Sequence, residues 1–111
     1  MIFGTNGPDV IVAGGGRDLV FGLNGRDIIC AGDGHDTVFG GEGPDVIEGE
    51  NGRDWLFGGR GGDDLNGGDG KDFLFGHDGS DDLDGGPERD FCHGGGALDT
   101  ATACEFKVLI P

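Results

Sequence analysis

The chain has 111 residues, 28 of them glycine, and a formal net charge of −15 from 22 acidic against 7 basic side chains. That balance excludes the basic footprint expected of a protein that binds nucleic acid or an anionic membrane surface. The length is that of one domain, yet this much glycine leaves too little apolar side chain for the core usual at that length.

From the amino end, Met1 runs directly into Ile2 and Phe3, which fit the end of a truncated repeat. No amino-terminal signal peptide is evident, and Met1 reads as a processing start. From there an aspartate stands at every ninth position: Asp9, Asp18, Asp27, Asp36, Asp45, Asp54, Asp63, Asp72, Asp81, Asp90 and Asp99. A fixed period of this kind means one structural unit stacked many times. The stretches at 22–30, 40–48, 58–66 and 67–75 share the form Gly-Gly-x-Gly-x-Asp-x-U-x, with U a large aliphatic residue. The U positions are Ile11, Val20, Ile29, Val38, Ile47, Leu56, Leu65, Leu74 and Leu83, followed by the smaller Cys92 and Ala101.

Each nonapeptide predicts a tight loop and a short strand. The glycines permit positive φ and close backbone approach, and the x-U-x triplet turns one side chain inward and its neighbours outward. Two nonapeptides make a coil of 18 residues, so the 11 repeats give about five and a half coils. At an inter-strand spacing of about 4.8 Å these stack into a rod roughly 25 Å long, with two parallel sheets and loops down both edges. The expected class is all-β. No apolar stretch is long enough for a membrane-spanning helix.

Stacking sorts the loops into two columns, one ending at Asp9, Asp27, Asp45, Asp63, Asp81 and Asp99, the other at Asp18, Asp36, Asp54, Asp72 and Asp90. Every gap between vertical neighbours offers two carboxylates and several backbone carbonyls. Flexible, hard oxygen donors suit Ca²⁺ better than Mg²⁺, which demands a strict octahedron. The expected carboxylate ligands are Asp9, Asp18, Asp27, Asp36, Asp45, Asp54, Asp63, Asp72, Asp81 and Asp90. The expected carbonyls are those of Gly22, Gly25, Gly32, Gly34, Gly40, Gly41, Gly43, Gly49, Gly52, Gly58, Gly59, Gly61, Gly67, Gly68 and Gly70. The gaps allow at most about nine ions. Without cations, carboxylates about 5 Å apart repel, so ion binding is expected to supply much of the folding free energy.

In these repeats the chain resembles the repeats-in-toxin (RTX) family of calcium-binding β-rolls, over roughly residues 4–102. The resemblance implies a right-handed parallel β-roll over 1–104, with 105–111 as a carboxy-terminal capping tail. It implies ions held between stacked loops by Asp carboxylates and backbone carbonyls. It also implies a secreted or cell-surface protein that leaves the cell unfolded by type I secretion and folds in extracellular calcium. The alternative is a calcium-rigidified structural or self-assembling adhesin-type segment. No enzyme is expected: the only serine, Ser80, lies in a loop with no base beside it, and no phosphate-binding glycine motif opens a helix. Ice binding needs a regular hydroxyl array that Thr5, Thr37, Thr100 and Thr102 do not form.

The outward positions carry a second pattern. One sheet repeats Leu19, Thr37, Trp55, Phe73 and Phe91 before U, and Phe21, Phe39, Phe57, Phe75 and His93 after it, with Phe3 in frame. A contact surface built on Phe21, Phe39, Trp55, Phe57, Phe73 and Phe75 is expected, for a second copy of the chain, a neighbouring domain or another protein. Cross-strand stacking for stability alone is the plainer alternative. The other sheet starts apolar at Val10, Val12, Ile28, Cys30 and Val46 and turns polar at Glu48, Asp64, Asn66, Asp82 and Asp84.

At the carboxy end Glu88 and Ala97 replace the fourth-position glycine, which puts calcium sites there in doubt. Phe106, Val108, Leu109 and Ile110 are expected to cap the core. Cys92 and Cys104, 12 residues apart, are placed to form a disulfide, with Cys30 too distant to join either. A zinc site from Cys92, His93 and Cys104 lacks a fourth ligand. His35 and His77 are expected to face solvent.

Overall fold

The odd and even nonapeptides go to opposite sides of the molecule, because each loop reverses the chain and each strand returns it. The computed structural model describes residues 1–96, 99–102, 104 and 106–110, with Gly96 and 106–110 described as strand backbone only. The strands are β1 Ile2–Phe3, β2 Val10–Val12, β3 Leu19–Phe21, β4 Ile28–Cys30, β5 Thr37–Glu42, β6 Val46–Glu48 and β7 Trp55–Arg60. They continue with β8 Asp64–Asn66, β9 Phe73–Asp78, β10 Asp82–Asp84, β11 Phe91–Gly96, β12 Thr100–Thr102 and β13 Phe106–Ile110. Among the described residues there is no helix, hence none long and apolar enough to cross a membrane.

One seven-stranded sheet runs β1-β3-β5-β7-β9-β11-β13, and a six-stranded sheet runs β2-β4-β6-β8-β10-β12. All neighbours are parallel, and through β12 every partner lies one coil away, as in Val20↔Val38 and Leu65↔Leu83. The molecule is therefore a parallel β-solenoid of about five turns.

The core is a file of single side chains. Val20, Ile29, Val38, Ile47, Leu56, Leu65, Leu74 and Leu83 are each 0% exposed, with Ile11 and Cys92 closing the ends of the file. At about 1.5–3 kcal/mol per fully buried aliphatic, this single column is a thin apolar foundation.

Two features depart from the uniform triplet. Strands β5, β7, β9 and β11 run for six residues, through the first three residues of the following loop. Their extensions pair through Glu42 N–H to Leu23 O at 2.8 Å and Gly43 N–H to Arg60 O at 2.9 Å. The side chains zip together too, with Arg60 placed 3.4 Å from Glu42 and 4.0 Å from Asp78. The last coil is also short: Phe91 pairs with Phe106, three residues fewer than the period, and the register slips again between His93 and Gly95. The backbone of the tail thus continues the sheet as β13. Side-chain capping by Phe106, Val108, Leu109 and Ile110, and the Ala97 position, lie outside the described residues.

Candidate calcium sites

Each repeat aspartate stands at the corner where loop becomes strand, immediately ahead of the triplet that enters the sheet. Stacking above and below encloses it. Asp27, Asp36, Asp45, Asp54, Asp63, Asp72, Asp81 and Asp90 are all buried, while Asp9 and Asp18 at the amino end are half-buried.

The two oxygens of each carboxylate do different work. Oδ1 accepts the backbone N–H of the aspartate one coil earlier: Asp27 N–H donates to Asp45 at 2.9 Å, Asp45 to Asp63 at 2.8 Å and Asp72 to Asp90 at 2.7 Å. In the described residues nine such bonds tie the two columns. Oδ2 has no hydrogen-bond partner at Asp18, Asp27, Asp36, Asp45, Asp54, Asp63, Asp72, Asp81 and Asp99. Buried polar atoms in native proteins nearly always have partners, so a repeated orphan marks a position for an absent one.

Electrostatics point the same way. Burial raises the carboxyls of Asp45 and Asp81 to about 6, those of Asp54 and Asp63 to about 7, and that of Asp72 to about 8. The amide of the preceding aspartate opposes this shift, and like-charged carboxylates in the column add to it. A cation in the column would restore the ionised form, since opposite charge nearby favours it.

The glycines complete a cradle of backbone oxygen. The first glycine of each motif packs under Oδ2: a methyl at Gly40 would lie 2.6 Å from Asp45 Oδ2 and 2.7 Å from Gly58 O. Gly22, Gly49, Gly58 and Gly67 stand in the same relation to their own aspartates. The second and third glycines hold left-handed φ, among them Gly25, Gly32, Gly34, Gly41, Gly43, Gly52, Gly59, Gly61, Gly68 and Gly70. Their carbonyls stack directly under the glycine of the next coil, as Gly34 O does under Gly52. Among the described residues no three His, Cys, Asp or Glu side chains gather around one point. A cation between loops would therefore draw on carbonyls as well as carboxylates. This all-oxygen donor set fits Ca²⁺.

The loops are not identical. Asp9 is satisfied within its own loop: the Thr5 hydroxyl donates to its Oδ1 at 2.9 Å, and the Thr5 N–H to Oδ2 at 2.6 Å. Sequence reasoning passed over Thr5, whose signal is a hydroxyl standing where other repeats have glycine. Leu23, Glu50 and His77 take the second glycine's place and adopt its left-handed φ, as does Glu88 at the fourth position with φ 80°. The Glu88 loop keeps the glycine-type backbone despite its side chain.

The aromatic residues form two adjoining stacks on the seven-stranded sheet. Phe3, Phe21, Phe39, Phe57 and Phe75 follow at centroid separations of 5.2, 5.1, 4.8 and 5.0 Å. Trp55 stacks on Phe73 at 4.4 Å, and Phe91 tilts away from Phe73 at 6.0 Å. The rings half-bury one another; Phe3 and Trp55 remain exposed. Cys92 and Cys104 are joined in a disulfide with Cα atoms 6.0 Å apart, which removes both thiolates from any zinc site. Cys30 is free on the other sheet, its thiol raised by burial and by Glu48 and Glu50. His77 is exposed but lies within β9 rather than in a loop, its ring 5.8 Å from that of Phe57, whereas His35 is exposed in its loop.

The profile of the RTX calcium-binding nonapeptide repeat (4 copies) matches the chain at residues 3–38, 31–65, 57–92 and 66–101. No curated protein sequence matches it significantly. Matched over most of its length, and carrying buried aspartates from Asp27 to Asp81 whose Oδ2 accepts no hydrogen bond, the chain belongs to the RTX calcium-binding nonapeptide repeat family and is a calcium-binding module.

Proposed function

We propose that this module folds on binding several calcium ions outside the cell, and that this switch serves export. The observation that carries the reading is the repeated Oδ2 without a hydrogen-bond partner in the buried aspartates from Asp27 to Asp81. Asp18 through Asp81, with Asp9 and Asp90 at the column ends, hold the ions together with the glycine carbonyls of the same loops. Up to about nine ions fill the gaps. Bound calcium supplies the positive charge that lets these carboxylates stack. Extracellular modules bind in the ~0.1–1 mM range, so the chain is an expanded polyanion in the cytosol and a rod outside. Residues 1–104 form that rod, and 105–111 close it, a role supported by the pairing of β13 with β11. The module binds and does not catalyse.

Circular dichroism followed through a calcium titration tests the reading. β-structure is expected to vanish in chelator, return at millimolar calcium, and stay absent when magnesium is substituted. A β-signal that persists in excess chelator overturns it.

A further inference from the structure

The outward positions of the six-stranded sheet divide it into two unlike halves. Among the described residues eight large hydrophobic side chains are exposed, and four of them, Val10, Val12, Ile28 and Val46, stand together on β2, β4 and β6. Val10, Ile28 and Val46 are register partners in one column, and Val12 pairs with the half-buried Cys30 in the next. Val10 is 74% exposed and Val12 71%. The same columns then turn to Glu48, Asp64, Asn66, Asp82 and Asp84. Strand formation does not require the aliphatics, because β8 and β10 build the same triplet around Leu65 and Leu83 with polar residues outward. On the opposite sheet the rings half-bury one another, so bare aliphatic surface collects here. Such a patch, rimmed by polar residues, marks a contact surface.

Outline and charge decide what covers it. The outward positions of β2 through β10 on this sheet hold no Lys or Arg. An acidic protein or an anionic membrane surface would meet Glu48, Asp64, Asp82 and Asp84 and be repelled. A basic partner would be drawn to that half and away from the aliphatics. A second copy of this chain satisfies both halves. Turned end for end about a two-fold axis parallel to the strands, it lays β4 on β4 and β2 on β6, an isologous contact. Its Asp64, Asp82 and Asp84 then pass beyond the partner's β2, clear of their counterparts, while the exposed Glu48 stays at the rim. A copy laid in the same direction would set acid on acid.

We propose that the folded rod pairs with a second copy of itself through Val10, Val12, Ile28, Cys30 and Val46, the two rods lying antiparallel. The pair buries on the order of 1,000 Å² with its rim, the size of a weak and reversible contact. The proposal goes beyond calcium binding and needs only the stacked coils, since residues 18 apart in sequence make the patch.

The test is sedimentation of the calcium-loaded chain up to about 1 mM, the range in which a contact of this size associates, with circular dichroism on the same samples. A concentration-dependent dimer is expected. Ile28→Asp copies the residue that β8 and β10 carry at the same register position, so folding is expected to survive while the dimer weakens at least about tenfold. Trp55→Thr on the other sheet copies Thr37 in the same way and should leave the dimer unchanged. With Cys92 and Cys104 joined, Cys30 is the one free thiol, and β4 on β4 sets it opposite its own copy. A short bismaleimide should therefore link two folded copies, and link Ile28→Asp at least about tenfold more slowly. A folded chain that stays monomeric, a dimer that Ile28→Asp leaves intact or Trp55→Thr dissolves, or a dimer that the bismaleimide does not link overturns the proposal. Should Ile28→Asp fail to fold, Val12→Asn, which copies Asn66, decides in its place. β-structure that persists in chelator would sink the calcium reading alone; the dimer should then form with or without calcium.

Discussion

The backbone N–H of Asp54 donates to Oδ1 of Asp72 at 2.9 Å, while Oδ2 of the same Asp72 has no partner. One residue type thus supplies the rung that joins two coils and the charge that keeps them apart until a cation arrives. Substitution separates the two roles.

Asp72→Asn keeps an amide oxygen for the Asp54 N–H but removes the charge. Loss of about 3 kcal/mol of calcium-dependent stability is expected, the scale of breaking a buried charge pair. Asp9→Asn should cost far less, because Thr5 already satisfies that carboxylate. Calcium midpoints for the two variants, measured by dichroism, check the contrast; equal shifts would contradict it.

Backbone conformation gives a second pair. At Gly52, φ is 118° and a methyl would collide with Gly34 O, whereas at Gly15 nothing lies within 4 Å. Gly52→Ala should destabilise by about 1–3 kcal/mol and Gly15→Ala by much less. Glu88→Gly, which relieves a left-handed side-chain residue, should stabilise by about 1–2 kcal/mol. Denaturant unfolding at fixed calcium reads all three.

Reduction of Cys92–Cys104 should remove about 2–3 kcal/mol, and the loss should stay near the carboxy end. In a solenoid each coil contacts only its neighbours. Hydrogen exchange after reduction is expected to quicken around β11 and to leave β3–β6 protected.

The aromatic stacks present two outcomes that one variant distinguishes. Phe39→Ser with Phe57→Ser breaks the stack at its closest pair, 4.8 Å apart. If the strip is a contact surface, the variant still folds in calcium and loses association in sedimentation. If it only braces the sheet, folding weakens by about 0.2–1 kcal/mol per lost pair and association is unchanged.

Much of this architecture was legible because one period governs it. The ninth-residue aspartate and the U residue two places later specify inward and outward positions, and the core file follows them from Ile11 to Cys92. What stayed hidden depends on a neighbour one coil away. The longer β5, β7 and β9 reflect Glu42 and Arg60 meeting across coils, which a single repeat does not display. The Thr5–Asp9 bonds depend on one residue that departs from the repeat, and the shortened last coil on a stretch where the period stops dictating neighbours.

The aspartate bonds all point in one sense, from an amide to the carboxylate of the following coil. The rod consequently has polarity, as a filament has unlike ends. A coil added before Asp9 must present an amide to a carboxylate that Thr5 now occupies. One added after Asp99 must instead present a carboxylate to an amide. An inverted coil satisfies neither, so repeats can be duplicated along this chain only head to tail.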